Sequence, residues 1–438
     1  MRIAALLTGV VLSLQLVASG SEMAEIQSVL KGRLGQGRGS AAVGIITKED
    51  NYTFFHGSAN GDSIFELGSV TKVFTALLLA DMTVRKELEL HDSVNELLGA
   101  RASIREDIHL LHLATHTSGL PRSPTDFTME YSEEQLYEFL SQYAFPREVG
   151  KKFKYSNVGF GLLGHTLALQ QGTSYEQLIL SRICRPLQMM DSRIRMSPEQ
   201  SSRHADGHSA TGQKIPTREL PATYWPAGAL RSTLNDMLKF LKVNIAPDQG
   251  KLGKAILMTH KPRVPSIPHT WTGLAWNVTS TGVSSVIWHE GQIQSHYAFI
   301  GLVREQGIGA VVLASSGIPL TDVGLHILDR RYPLAGSEPP PQAKFKLDES
   351  SLESFAGQYR VRADYIITIT REDDHLFSQA TGMPKLEILP LSEAEFTVKG
   401  FNIKITFVKN KAGEVTSLIV YQAGTEVKAQ KQPDDSKT

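Results

Sequence analysis

Residues 65–74 read FELGSVTKVF, and the run continues as TALLLADM to residue 82. Ser69 and Lys72 stand three positions apart, directly after Gly68, at the mouth of this apolar run. On a helix, positions i and i+3 lie on one face within reach of each other. Ser69 falls where the first backbone N–H groups of such a helix point outward without intrahelical partners. Those amides, with the helix dipole, favour a carbonyl oxygen that becomes negative under attack. A serine hydroxyl is a poor nucleophile until a base takes its proton. A lysine serves as that base only when partial burial beside another cation lowers its pKa. The competing reading makes Ser69 a helix cap and Lys72 a solvated side chain. The flanks weigh against it, because VFTALLLADM sets Lys72 beside a strongly apolar helix rather than on a charged face.

With these flanks the segment resembles the S-x-x-K region of the penicillin-binding, serine β-lactamase family. Two further motifs carry the same resemblance. Tyr155-Ser156-Asn157 opens an apolar helix about a hundred residues on, and it is similar to the Y-x-N motif of class C β-lactamases and their peptidase and esterase relatives. Read alone, it is a helix cap with a packed tyrosine. His289-Glu290-Gly291, in SVIWHEGQIQSHYAFIGL, stands where the family has K-T-G, and H-x-G resembles the class C relatives with histidine there. Read alone, it is an exposed strand histidine. The stretches LLHLATHTSGLPR and AGALRSTLNDMLKFL also match, so the resemblance runs from about residue 25 to 332.

The resemblance implies roles. Ser69 attacks a carbonyl, and Lys72 and Tyr155 move protons. Asn157 holds a substrate amide and orients Lys72 by hydrogen bonding. His289 binds a substrate carboxylate or tunes Tyr155. Gly291 lets the backbone approach the substrate, and the N–H of Gln292 completes an oxyanion hole with that of Ser69. It implies no metal and no organic cofactor. The substrate classes it implies are β-lactam first, then D-Ala-D-Ala-type peptide, then short ester. The rival from another class is a penicillin-binding sensor or scaffold without turnover. The sequence departs from the family where K-T-G has lost its lysine. A histidine is only partly charged near neutral pH, so a substrate carboxylate is held less firmly. E-x-x-L-N is missing too, which leaves Tyr155 with Lys72 to activate the hydrolytic water.

At 438 residues the chain is too long for one ordinary core, so two or three domains are expected. Lys plus Arg and Asp plus Glu both number 45, which argues against a nucleic-acid partner. Residues 1–22 resemble a secretory signal peptide, with one Arg before an apolar stretch and Ala18 and Gly20 at cleavage spacing. The protein is therefore expected to be exported, periplasmic or secreted. Cys184 is the single cysteine, read as a buried thiol. Asn51 and Asn277 sit in N-x-T sequons that matter only in a eukaryotic secretory pathway. His109, His112 and His116 could share a helix face and invite a zinc reading, which the likeness of His116's surroundings to the family's T-H-x-S-G-L segment weighs against. Trp225 lines the pocket or fills the core.

The expected fold class is α+β: an antiparallel sheet flanked by helices with a helical subdomain, plus a small all-β C-terminal barrel or sandwich. Strand-like runs come early, at 41–48 and 51–59, and late, at 272–278, 285–291, 296–303 and 309–316. Helix-like runs lie between them: 82–116, 132–143, 155–171 and 227–243, the last capped at Ser232 or Thr233. Residues 321–332 read as a closing helix. The serine hydrolase domain is expected over 23–334, a proline-rich connector over 335–345, and an all-β module that resembles lipocalin-like partners over 346–430. That module shows seven strand-like runs, and the tail from Ala429 reads as polar and frayed. Oligomeric state and the purpose of the tail stay open.

Overall fold

The computed structural model describes residues 20–433, apart from 36, 125–126, 146–148, 218, 268, 282–283, 294, 333, 335–344, 346, 363–364, 382–384, 399–402 and 423–424. Nearly all of the expected leader and of the proline-rich connector lies outside the described residues. Among the described residues no helix is long and apolar enough to cross a membrane.

The strands of the first part are β1 (Ala41–Ile46), β2 (Asn51–His56), β3 (Ile64–Glu66), β4 (Arg231–Thr233), β5 (Val264–Ile267), β6 (Thr270–Thr272), β7 (Asn277–Ser280), β8 (Ser285–Gln292), β9 (Tyr297–Val303) and β10 (Ile308–Ala314). Eight of them form one antiparallel sheet in the order β2-β1-β10-β9-β8-β7-β6-β5. An early strand, β1, therefore pairs with a late one, β10, so the sheet is built from both ends of this part of the chain, in agreement with the early and late strand-like runs. β1, β9 and β10 are buried along their whole length, because apolar layers cover both faces. On one face lie the helices Gly20–Leu34 and Thr321–Leu328, packed over Val43, Ile45, Phe299 and Val312. Arg33 and Asp322 join those two helices through a buried ion pair, with Arg33 Nη1 donating to Asp322 Oδ1 at 2.7 Å.

The other face carries the helical subdomain. Its central helix, Thr71–Val84, is buried on every side from Thr71 to Met82, as its nearly continuous apolar sequence demands. Phe74 stacks on Phe240 of the helix Leu234–Ile245 at 4.2 Å. Thr233 caps that helix, accepting a hydrogen bond from the Asp236 N–H. Ser132 caps Glu133–Gln142 in a reciprocal arrangement with Gln135.

Four stretches differ from the sequence expectation. Residues 82–116 are mostly not helical: the central helix ends at Val84, and only Val94–Leu98, a 3-10 turn at Gly99–Arg101 and Leu110–Ala114 are helical after it. Lys86 adopts a left-handed backbone (φ +62°) that breaks the run. Asn95 braces the loop instead, bonding the Ile104 carbonyl and N–H at 2.7 and 2.8 Å. Residues 272–278 are not one strand. A turn with Ala275 at φ +66° separates β6 from β7 and drops Leu274 and Trp276 into the core. The helices Tyr175–Ile179 and Lys251–His260 were not anticipated.

The C-terminal part is a closed barrel of β11 (Gly357–Arg362), β12 (Tyr365–Glu372), β13 (His375–Ala380), β14 (Leu386–Pro390), β15 (Glu395–Val398), β16 (Ile403–Lys409), β17 (Val415–Gln422) and β18 (Thr425–Lys431). The eighth strand corrects the reading of a frayed tail from Ala429. It has few apolar residues, but its backbone pairs with both β17 and β11, and Ala429 is buried. A preceding helix, Glu349–Phe355, carries Phe355 onto Phe407 (4.5 Å) and Phe396 (5.1 Å) in the barrel core.

The Arg33–Asp322 pair yields a test. Asp322→Ala leaves a buried guanidinium without its carboxylate, and it should lower stability by about 3–5 kcal/mol in urea unfolding. A change below ~1 kcal/mol would mean that the pair does not clamp the two outer helices.

Candidate active site

The short strands β3 and β4 pair with each other, and β3 leads straight into the 3-10 turn Gly68–Val70 and the central helix. That turn is pinned at both ends. Leu67 N–H bonds the Leu230 carbonyl at 2.9 Å, and Leu230 N–H bonds Thr71 Oγ1 at 3.0 Å. Below it, Arg231 holds Glu66 at 3.0 Å. Burial pushes the Glu66 carboxyl above its ordinary value, against the pull of Arg231. Ser69 thus sits on a rigid corner.

Three of the predicted side chains converge there. Tyr155 Oη donates to Ser69 Oγ at 2.7 Å, and Lys72 Nζ lies 3.1 Å from the same oxygen. Lys72 is fully buried. Its other partner is the Ala227 carbonyl at 2.6 Å, and the rings of Tyr155 and Phe160 lie 4.9 and 5.7 Å from its nitrogen. Burial, and then the Arg122 charge, hold its pKa well below the ordinary 10.5. Burial drives the Tyr155 phenol the other way, up to about 12. The resting state is therefore a protonated phenol and an amine biased to neutrality. A neutral amine can accept the Ser69 proton, which gives a chain from Tyr155 O–H through Ser69 O–H to Lys72 Nζ.

Tyr155 is itself held from behind. Ser156 caps the helix Asn157–Gln170, and its own N–H donates to His116 Nδ1 at 3.0 Å. The His116 ring stacks on Tyr155 at 4.4 Å from a left-handed backbone position, φ +58°. Burial and nearby cations keep this ring neutral. Asn157, at the start of that helix, is half-buried, with its backbone N–H on the Arg122 carbonyl at 3.1 Å. The hydrogen bond expected between Asn157 and Lys72 is not formed. A backbone carbonyl, that of Ala227, holds the amine instead.

The opposite wall is β8. Ile293 N–H bonds His296 O, so the odd-numbered residues of β8 exchange hydrogen bonds with β9. The N–H of Gln292 then points to the other side, where β7 has already ended opposite Trp288. It faces the Ser69 turn: a Cβ added to Gly68 would lie 3.2 Å from Gln292 N. Gly291 is packed still harder. A Cβ there would meet Leu67 O at 2.0 Å and Ser69 N at 2.8 Å, so only glycine permits this approach. The backbone N–H groups of Ser69 and Gln292 thus lie on the two sides of one narrow gap. The Gln292 side chain turns away to the Gly317 carbonyl.

His289 shares the site-facing side of β8 with Gly291 but does not carry the partial charge expected of it. It is 4% exposed, and burial, then Lys72, pull its pKa down to about 3. The imidazole is neutral at pH 7. Trp225 is half-buried, with Nε1 on Leu220 O and Arg195 over its ring at 4.8 Å. His109 and His112 stack on each other at 4.9 Å, away from His116. Among the described residues no three His, Cys, Asp or Glu side chains are grouped to hold a metal ion. Cys184 is buried, and its thiol is pushed up to about 12. Arg122 and the Ala227 carbonyl were not singled out from sequence, and His116 was read there as a candidate zinc ligand rather than as the support of Tyr155. Arg122 and His116 both lie in THTSGLPR, whose likeness to the family was the signal for their part in the site, and a main-chain carbonyl leaves none.

Comparison with known proteins fits this geometry. A family model described as Beta-lactamase matches residues 26–330, and one described as a domain of unknown function, DUF3471, matches residues 341–436. A "Beta-lactamase" of Lysobacter lactamgenus is 28% identical over 204 residues, covering 45% of this chain and 52% of that protein. "Penicillin-binding protein 4*" of Bacillus subtilis (strain 168) is 23% identical over 402 residues, covering 84% and 87%. The chain spans about half the length of the first of these curated relatives. A solved class C β-lactamase superposes with a TM-score of 0.64 at 22% identity, over 71% of this chain and 97% of that one, which establishes the likeness of fold.

Burying Lys72 has a consequence for stability. Between its lowered pKa and 10.5 the unfolded chain binds one proton more than the folded one. Its burden on the fold is therefore present at neutral pH and fades as pH rises toward 10.5. Lys72→Met should stabilise the protein at pH 7 by about 1–3 kcal/mol, and the gain should shrink in alkaline buffer. A variant less stable than the parent at pH 7 would contradict this account of the buried amine.

Proposed function

Since the chain belongs to the Beta-lactamase family, within the serine β-lactamase and penicillin-binding protein superfamily, we propose that it is an exported serine hydrolase that works through an acyl-enzyme. The observation that carries this reading is the continuous contact of Tyr155 with Ser69 and of Ser69 with Lys72, at 2.7 and 3.1 Å. Ser69 Oγ attacks the substrate carbonyl while its proton passes to Lys72 Nζ. The oxygen that gains charge is received by the N–H groups of Ser69 and Gln292. Tyr155 gives its proton to the leaving group and regains one from Lys72 through the serine position. Water activated by Tyr155 with Lys72 then releases the acyl group. Asn157, beside Arg122, holds the substrate amide. Under this reading residues 23–334 form the hydrolase domain, and 335–345 connect it to the barrel module at 346–430.

The candidate substrates are β-lactams, D-Ala-D-Ala-type peptides and short esters. The names of the Lysobacter and Bacillus relatives favour the first two. The charge distribution favours the third. The family's K-T-G lysine is replaced by an imidazole that stays neutral, so this wall offers no charge to a carboxylate. We therefore place esters and uncharged amides ahead of β-lactams.

Incubation with p-nitrophenyl acetate should leave one acetyl group on the wild-type protein by intact mass, and none on Ser69→Ala. Turnover should fall by about 10⁴-fold or more in Ser69→Ala and by roughly 10²–10⁴-fold in Tyr155→Phe. Full activity in Ser69→Ala would rule out this nucleophile. Gly291→Ala, which drives a methyl group into the Leu67 carbonyl, should lower kcat by roughly 10²–10³-fold, the size expected for a lost oxyanion donor, with an unchanged far-UV spectrum. Wild-type kcat in that variant would remove Gln292 N–H from the oxyanion hole.

A further inference from the structure

β8 sends alternate side chains to opposite sides of the sheet. Glu290 goes to the side away from Ser69, where Tyr297 Oη donates to it at 2.6 Å and Thr321 Oγ1 also bonds it. His289 and Gly291 share the other side. Gly291 abuts Leu67 O and Ser69 N, so the imidazole stands one pleat along, about 7 Å by strand geometry from that contact. It is a neighbour of the nucleophile, not a remote strand residue.

The tautomer of this ring is fixed by its surroundings. His289 Nδ1 lies 2.7 Å from the Glu290 carbonyl oxygen. A carbonyl can only accept, so Nδ1 carries the proton and Nε2 carries the lone pair. Nε2 has no hydrogen-bond partner among the described residues, yet it is not one of the orphaned atoms sealed from solvent. A buried ring with one exposed acceptor atom faces a cleft. A second proton does not change this near neutral pH, because burial and Lys72 oppose it.

We propose that His289 determines specificity, its Nε2 accepting a hydrogen bond from an uncharged N–H or O–H of the substrate, so that preferred substrates carry an amide or hydroxyl beside the scissile bond where a β-lactam carries a carboxylate. This rests on Ser69 being the nucleophile. A carboxylate brought to Nε2 sets acceptor against acceptor, and its lost hydration goes unreplaced. An N–H or O–H brought to the same point satisfies both partners.

Three esters of one acyl group test it: those of glycolic acid (carboxylate), glycolamide (N–H donor) and N,N-dimethylglycolamide (uncharged, no donor). The wild-type protein should turn over the glycolamide ester with kcat/KM about tenfold above both others, the size of one good hydrogen bond. His289→Lys should invert the order of carboxylate and amide. His289→Phe should make the primary and dimethyl amides equal. The same three compounds, titrated calorimetrically into the Ser69→Ala protein, should rank in the same order by Kd, so the preference is read without turnover. Retained turnover in Ser69→Ala would sink the nucleophile reading while leaving this ranking measurable. A wild-type preference for the carboxylate, equal use of the two amides, or an unchanged preference in His289→Phe would overturn the proposal.

Discussion

A primary amine with no carboxylate beside it among the described residues, buried inside a helical core, is the constraint around which the site is built. Lys72 is enclosed by the central helix, the aromatic rings of Tyr155 and Phe160 and the Ala227 carbonyl. Burial there penalises the charged form, so the ammonium is the one that suffers. An acidic partner would have restored the charge and disabled the base. A backbone carbonyl satisfies one N–H without doing so. In the proposed mechanism the serine needs a proton acceptor at neutral pH, and burial of the amine, rather than an added histidine, is what would supply it.

The two walls of the cleft solve different problems. On the helical side, His116, in a left-handed conformation, stacks on Tyr155 and receives the Ser156 N–H, so a strained residue fixes the phenol's position. On the sheet side, precision comes from the missing side chain of Gly291, which brings two main-chain segments together. One wall positions a proton donor, the other positions amides. Both depend on the early turn at Gly68–Val70, held by the short β3–β4 pair and the buried Glu66–Arg231 contact.

Much of this was legible in the sequence, for definite reasons. Ser69, Lys72 and Tyr155 carry side-chain chemistry at helix starts, where caps and apolar runs announce themselves. β1, β9 and β10 are legible because both faces are covered, leaving unbroken apolar runs. What failed was set by backbone turns, pairings and burial that leave no side-chain periodicity. Residues 82–116 contain enough leucine to suggest helix, yet Asn95 and the left-handed Lys86 shape a loop. Strand β18 is nearly all polar, and only its pairing with β17 and β11 makes it a strand. The Ala227 carbonyl carries no side-chain signature. The neutrality of His289 follows from burial, which no local pattern reports.

Closure of the barrel by its own last strand has a consequence for biosynthesis. β11 needs β18 as a neighbour, and β18 follows every other strand of the barrel in the sequence. While the ribosome still holds Thr425–Lys431, both β11 and β17 present raw edges, the surfaces through which nascent chains adhere to one another. A chain cut just before Thr425 would therefore leave the Beta-lactamase-family part joined to an open, adhesive barrel of seven strands.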